Sequence, residues 1–133
     1  MALDGRTLPL TRAQLDVWLA HETGCYGTGW QLGLFVRIEG PVQRDPLEWA
    51  IRRVIREAEP VRAAFFQEYG QVVQRAIDYE DVELAFHDLS SSHDPVEEAY
   101  EIASSIQRTP MAFSGPLFKF ALFRTRPDEF YWF

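Results

Sequence analysis

One cysteine, one lysine and no long apolar run are what this 133-residue chain has least of, and each shortage closes off a class of function. With Cys25 alone no internal disulfide can form, so a reducing cytoplasm is the expected compartment. That cysteine and three scattered histidines, His21, His87 and His93, have no spacing that would give a four-coordinate zinc site, so no metal is expected. Lys119 is the sole lysine, and 13 basic residues against 20 acidic ones leave a formal charge of −7. The arginines are scattered or set on helices and form no basic stripe, which argues against a nucleic-acid partner. Met1 to Arg6 has no apolar signal core and nothing approaches membrane-spanning length, so the expectation is a soluble acidic domain with no membrane partner.

What is present is core material. The chain is 47% hydrophobic and 14% aromatic, enough for one packed domain or a lobe of a larger one. Thr11 and Gln14 make a capping box, and Leu15, Trp18 and Leu19 follow at helical spacing. The Thr23-Gly24 pair closes that helix. Leu32, Leu34, Val36 and Ile38 alternate as a strand with one buried face. A second helix is expected from Asp45 (N-cap), Pro46 and Glu48 (capping-box return) to Pro60, with Leu47, Ile51, Val54, Ile55 and Ala58 as its apolar stripe. Val61, Ala63 and Phe65 then alternate, Tyr69-Gly70 turns the chain, and Gln71 to Ile77 returns it as a hairpin. Val82, Leu84 and Phe86 make a strand, Asp94 starts a third helix running to Arg108, and Leu117 to Arg124 makes another strand. Strands and helices mix, with hairpins present, which predicts an α/β or α+β fold with a mixed sheet and flanking helices.

The last four residues, Phe130, Tyr131, Trp132 and Phe133, read as a buried strand, an unusual place for a polypeptide to stop. A longer protein is therefore expected to continue past them, and a strand left exposed there could pair edge to edge with a second copy as a dimer. The chemistry-bearing residues are sparse. His21 suits the last turn of the first helix, where its charged form favours the helix dipole. His87 and His93 read as solvated loop residues. Cys25 has no adjacent base, Ser90-Ser91-Ser92 reads as a turn, and Gly24, Gly27 and Gly29 lack a phosphate-loop lysine. Asp78, Glu80, Asp81 and Glu83 read as a solvated edge.

Two segments carry a resemblance. Leu8-Pro9-Leu10-Thr11-Arg12-Ala13-Gln14 followed by Trp18 resembles the opening motif of condensation domains in nonribosomal peptide synthetases, L-P-L-S/T-x-A-Q-x-x-x-W. Arg56 to Phe65 resembles their second motif, R-H-E-x-L-R-T-x-F. Gly70, Gln74, Asp88-Leu89, Pro110, Gly115-Pro116-Leu117 and the final aromatic strand fall at that family's spacing, so the likeness runs from Leu8 to Phe133. The sequence departs at Ala58, where the family has His, and at Val61 and Ala63; the Ala and the aromatic ending are similar to synthetases of aryl-capped siderophores.

The resemblance implies the N-terminal lobe of a chloramphenicol acetyltransferase-like condensation domain. Such a domain joins a carrier-bound acyl thioester to a carrier-bound amine and binds no cofactor directly. Its substrates ride on phosphopantetheine arms of an acyl or aryl carrier protein and a peptidyl carrier domain. The catalytic motif, H-H-x-x-x-D-G, is expected on the loop just after Phe133, so no catalytic residue is assigned within the chain, which alone is expected to be inactive. Arg62 matches the second-motif arginine, whose role is to support the active-site loop by pairing with that motif's aspartate; a solvated strand arginine is the alternative. If its partner lies elsewhere, Arg62 is expected to be exposed, re-paired with an acidic residue, or met by another chain. Gln14 reads as a cap. Trp18 reads as core with tunnel lining as the alternative, and Tyr26 and Trp30 lie where the family's tunnel wall begins. Epimerisation, heterocyclisation and ester-forming relatives, or a non-catalytic carrier-docking module, remain rival readings.

Overall fold

The computed structural model describes residues 6–25 and 27–133. Two compact units divide the chain, each assembled from separate segments. The first takes the residues up to Trp30, Arg53–Glu80 and Pro110–Phe118; the second takes Gln31–Arg52, Asp81–Thr109 and Lys119–Phe133.

The first unit is built on a three-stranded antiparallel sheet of order β1-β4-β3, from β1 (Leu8–Pro9), β3 (Ala63–Glu68) and β4 (Gln71–Ala76). The hairpin expected from the alternation is there. Its turn puts Tyr69 and Gly70 both at positive φ, the mirror-image geometry that matches strand twist. Val61, read as the start of the strand, lies instead in a 3-10 turn, Glu59–Arg62, whose second residue, Pro60, has φ fixed by its ring in the helical range. Helix α1 (Arg12–Glu22) starts as predicted: the Thr11 hydroxyl accepts from the Gln14 amide N–H at 3.3 Å and Gln14 Oε1 accepts from Thr11 N–H at 2.8 Å.

The second unit holds a four-stranded mixed sheet of order β2-β7-β6-β5, from β2 (Val36–Glu39), β5 (Leu84–Asp88), β6 (Phe120–Arg126) and β7 (Glu129–Trp132). Strands β5 and β6 run parallel, joined through α3 (Pro95–Arg108), whose N-cap Asp94 accepts from Glu97 N–H at 3.2 Å. Ala99 and Ala103, four apart on α3, are buried with Leu89, Ala121 and Phe123. Small side chains there let helix and sheet approach closely. The strand expected over residues 32–38 joins its ladder only from Val36, and Leu32 is 98% exposed. Residues 31–33 instead close the end of α3: Gln31 Nε2 donates to the Gln107 and Thr109 carbonyls, two of the acceptors a helix end leaves open. A β-carbon on Gly33 would meet the Phe133 ring at 2.9 Å, so only glycine allows this approach.

Four further expectations are corrected. Helix α2 (Arg44–Glu57) starts two residues earlier than expected, so Asp45 lies in its first turn and is not its N-cap, and Leu47 N–H donates to Gln43 O. Glu48 does not close a capping box; its carboxylate accepts from Arg52 at 2.8 Å and from Leu84 N–H at 3.3 Å. His87 lies within β5, stacked on Phe123 with 5.2 Å between ring centres. The final aromatic strand is no open edge, since β7 is paired by β2 on one side and β6 on the other, which removes the basis for an edge-to-edge dimer.

A bulge decides one buried charge. Between Arg124 and Arg126 the β6–β7 register slips by one residue, and Thr125 at that slip donates to Glu129 Oε1 at 2.7 Å. Arg37 holds the other carboxylate oxygen at 2.9 Å. The Thr125 hydroxyl foremost, then Arg37 and Arg126, hold the Glu129 carboxyl below the usual range against the upward push of burial. Unfolded, it titrates near about 4.3. Its contribution is therefore complete above that value and lost as pH falls through the lower folded one. Asp88, held down chiefly by Ser90, acts in the same direction. Thr125→Val should leave stability at pH 7 reduced and flatten its fall on acidification, read from urea midpoints between pH 7 and pH 3. Parallel curves for the two proteins would show that Thr125 does not set the Glu129 titration.

Candidate functional site

The sequence-predicted site residues that are described lie in the first unit. Arg62 ends the 3-10 turn and enters β3; its carbonyl accepts from Ile77 N–H at 2.9 Å, one step beyond the Ala63–Ala76 pair of the hairpin. That register brings Asp78 to the guanidinium, and Arg62 Nη1 pairs with Asp78 Oδ1. The arginine is therefore re-paired with an acidic residue. Asp78, grouped in sequence with a solvated acidic edge, is indeed exposed (92%) but carries this ion pair, while the Arg62 side chain is only 12% exposed. The guanidinium Nε is buried with no acceptor.

Two more side chains of this turn region share that condition. Glu59 Oε1 and the Tyr79 hydroxyl are buried without a hydrogen-bond partner. Burial pushes the Tyr79 phenol up from its ordinary value, since its charged form would be poorly solvated.

Gln14 does more than cap. Its side-chain amide pairs reciprocally with that of Gln74 on β4, donating at 3.0 Å and accepting at 3.1 Å, and Gln74 Nε2 also donates to Pro9 O at 3.0 Å. Gln74 is buried, so this amide pair ties α1 and β1 to the hairpin through groups whose hydrogen bonds are all internal. Gln14→Ala should cost about 1–3 kcal/mol by leaving the buried Gln74 carbonyl without its donor. Gln14→Glu keeps the acceptor for Thr11 and Gln74 but also removes that donor and sets a carboxylate oxygen against the Gln74 carbonyl, so in urea unfolding at pH 7 it should cost at least as much. A glutamate variant as stable as the parent would put the effect elsewhere.

Trp18 is half-buried. It stacks on Phe113 at 5.0 Å, and Phe65 meets Phe113 edge-on at 5.9 Å. With Ala13, Gln14 and Val17 these rings line an apolar cavity of about 270 Å³. Phe113 had no signal in sequence; it reaches the hairpin because Phe65 N–H donates to its carbonyl at 2.8 Å. His21 also packs edge-on against Phe113, at 4.4 Å. Trp30 is half exposed, and Tyr26 lies outside the described residues. Among the described residues no group of three His, Cys, Asp or Glu could hold a metal ion, and no helix is long and apolar enough to cross a membrane. The Ser90 hydroxyl does donate to Asp88 Oδ1 at 2.6 Å, but this pair closes the turn after β5, where Ser90 N–H donates to the same oxygen at 3.1 Å. What the unit offers is a braced arginine, an internally bonded amide pair and an aromatic cavity, which is supporting architecture.

Comparison with known proteins gives these features a context. The family model described as "Condensation domain" matches residues 5–133. A dimodular nonribosomal peptide synthase of Bacillus subtilis (strain 168) is 32% identical over 125 residues, 93% of this chain and 5% of that protein. Enterobactin synthase component F of Escherichia coli (strain K12) is 27% identical over 131 residues, 95% of this chain and 10% of that protein. The solved starter condensation domain of rhizomide synthetase superposes with a TM-score of 0.89 at 27% identity, over 98% of this chain and 30% of that one. The chain thus spans a small fraction of the curated relatives and about a third of the solved domain.

Proposed function

Because this chain belongs to the condensation-domain family, we propose that it supplies the N-terminal lobe of a domain that forms an amide between two carrier-bound substrates. The observation that carries the reading is the structural likeness to a starter condensation domain over 98% of this chain. In the proposed reaction a carrier-bound amine attacks the thioester carbonyl. The tetrahedral intermediate then expels the phosphopantetheine thiolate, and the proton lost by nitrogen passes to sulfur. The base, or the group that positions the amine, is a histidine of an H-H-x-x-x-D-G motif following β7. Most of the acceleration comes from holding two tethered reactants together.

Within this reading Arg62 is a positioning residue. Asp78 takes one arm of its guanidinium, and the buried Nε lacks an acceptor, which an aspartate of the catalytic motif would supply. In the intact domain, Arg62→Ala is expected to lower kcat by about 10–100-fold by loosening the loop, with KM for the loaded carriers little changed. An unchanged kcat would return Arg62 to a purely structural role. Trp18 is assigned to the tunnel wall through the cavity it lines, and Tyr26 and Trp30 on the family resemblance.

The reading frame after Phe133 is expected to encode the histidine motif, and the encoded protein to convert acyl- and aminoacyl-loaded carriers to an amide detectable by mass spectrometry. The 133 residues alone should yield none. Carrier binding without product would make this a docking module, and cyclised product would make it a heterocyclisation domain. For the donor, an aryl group is the first reading, supported by Ala58 and the similarity to enterobactin synthase component F. A medium-chain fatty acyl group is the second, since the rhizomide starter domain was solved with C8-CoA. Competition between benzoyl- and octanoyl-loaded carriers separates them.

A further inference from the structure

Phe133, one residue past β7, is held from two directions. Its N–H and carbonyl both exchange hydrogen bonds with Ala121 of β6, each at 2.9 Å, the closed pair of an antiparallel ladder. Its ring packs against the cluster that Ala99 and Ala103 of α3 form with Ala121, and reaches Gly33, where a β-carbon would lie 2.9 Å from Phe133 Cε2. Gly33 is placed in turn by a reciprocal clamp on the end of α3. Gln31 Nε2 donates to the carbonyls of Gln107 and Thr109, and Gln107 Nε2 donates back to Gln31 O at 3.3 Å. The carbonyls before them are already met within the helix end: Thr109 N–H donates to Ile106 O at 3.1 Å and its hydroxyl to Ser105 O at 2.9 Å. Leu32, between the clamp and Gly33, is left in water, so hydrogen bonds and not burial of this side chain fix the segment.

We propose that Gln31, Gly33 and Gln107 are positioning residues, which seat the Phe133 ring and so fix where the polypeptide leaves the sheet for the histidine loop. This rests on the condensation-domain reading, in which that loop follows β7. A displacement of about 1 Å at a reacting group can cost roughly 100-fold in rate, even when its cause lies far from the chemistry. Phe133 closes a ladder pair directly before the loop, so a tilt of its ring against Gly33 is passed to the residues that follow. Gly33 is the sensitive point of the device. Its φ lies outside the left-handed region, so an alanine there adds a side chain without backbone strain. That side chain would lie 2.5 Å from Gln107 Oε1 as well as 2.9 Å from the ring. The Gln107 amide can swing away, at the expense of its bond to Gln31 O, and the ring must then yield too.

The test uses the parent protein, with kcat and KM measured on a benzoyl- or octanoyl-loaded donor carrier and an aminoacyl-loaded acceptor carrier, and folding followed by urea midpoints. Gly33→Ala should lower kcat about 10–100-fold and leave KM for both carriers within about twofold. Phe133→Leu removes the ring atom nearest the new β-carbon, so the double variant should turn over about threefold or more faster than Gly33→Ala alone. Gln31→Glu keeps the shape of the side chain but turns a carboxylate toward two carbonyls, and should lower kcat about 5–20-fold. Its bonds are at the surface, so this variant should fold, and it decides the matter if Gly33→Ala does not. A kcat within about twofold of the parent in Gln31→Glu would overturn the proposal, as would a raised KM at unchanged kcat, which would make the segment a carrier contact. So would a double variant no faster than Gly33→Ala, since the ring would then not be what the alanine displaces. A parent protein that makes no amide from any of these loaded carriers would instead sink the functional reading, before the variants are compared.

Discussion

Phe123→Ala is expected to lower the free energy of unfolding by about 3–5 kcal/mol, the range for deleting a fully buried aromatic ring. Phe123 sits on β6, between β5 and β7, with no exposed surface. It meets His87 face to face across the parallel pair, approaches Phe35 at 6.2 Å, and packs with Leu89, Ala99, Ala103 and Ala121. The alanines around it cannot grow into the space, and the paired strands cannot close without breaking ladder hydrogen bonds, so the cavity persists. Phe123→Leu keeps most of the volume and should cost less than about 1.5 kcal/mol. Urea unfolding of the two variants checks both values, and a loss below 1 kcal/mol (roughly fivefold in the folding equilibrium) for the alanine variant would mean the core of the second unit lies elsewhere.

Gly115→Ala should cost about 2–5 kcal/mol, from two separable causes. Gly115 has φ +87°, a conformation an L side chain adopts only at a cost. A β-carbon there would also collide with the Tyr79 hydroxyl and come within 3.1 Å of the ring carbon that bears it. Tyr79 cannot swing aside cheaply, because its ring is held edge-on against Phe118 at 5.4 Å. Tyr79→Phe removes the nearest atom and a buried hydroxyl that has no partner, so alone it should be neutral or slightly stabilising. Combined with Gly115→Ala it should recover the collision but not the backbone strain, giving a coupling of about 1–2 kcal/mol. Strict additivity in the double-mutant cycle would show that Tyr79 is not the obstacle.

The parts of the fold that were legible in sequence are those governed by neighbours a few residues apart. The Thr11–Gln14 capping box, the Asp94 N-cap and the Tyr69-Gly70 turn are local, and the structure has each of them. The errors came where a distant partner outweighs local pattern. Leu32 and Leu34 alternate like a buried strand, but the C-terminus of α3 needs hydrogen-bond donors, and Gln31 supplies them with Gly33 leaving room. Glu48 has capping-box spacing, yet Arg52 and the backbone of Leu84 compete for its carboxylate and win. The Arg62–Asp78 pair could have been found by extending the hairpin register past Ala76, since position 77 then falls opposite position 62. Phe113 and the bulge at Thr125 left no such trace.

The sequence alone thus determined the family, the starts of α1 and α3, and the hairpin, because motif residues and short-range geometry are carried by consecutive positions. The tertiary structure alone decided that the aromatic ending is an interior strand, that Gln14 is half of an amide pair, and that Glu129 is a buried carboxylate held ionised by Thr125 and Arg37. Each of these depends on what stands across a sheet or beneath a helix. Burial and pairing are properties of neighbours brought together over tens of residues, and local pattern does not encode their identity.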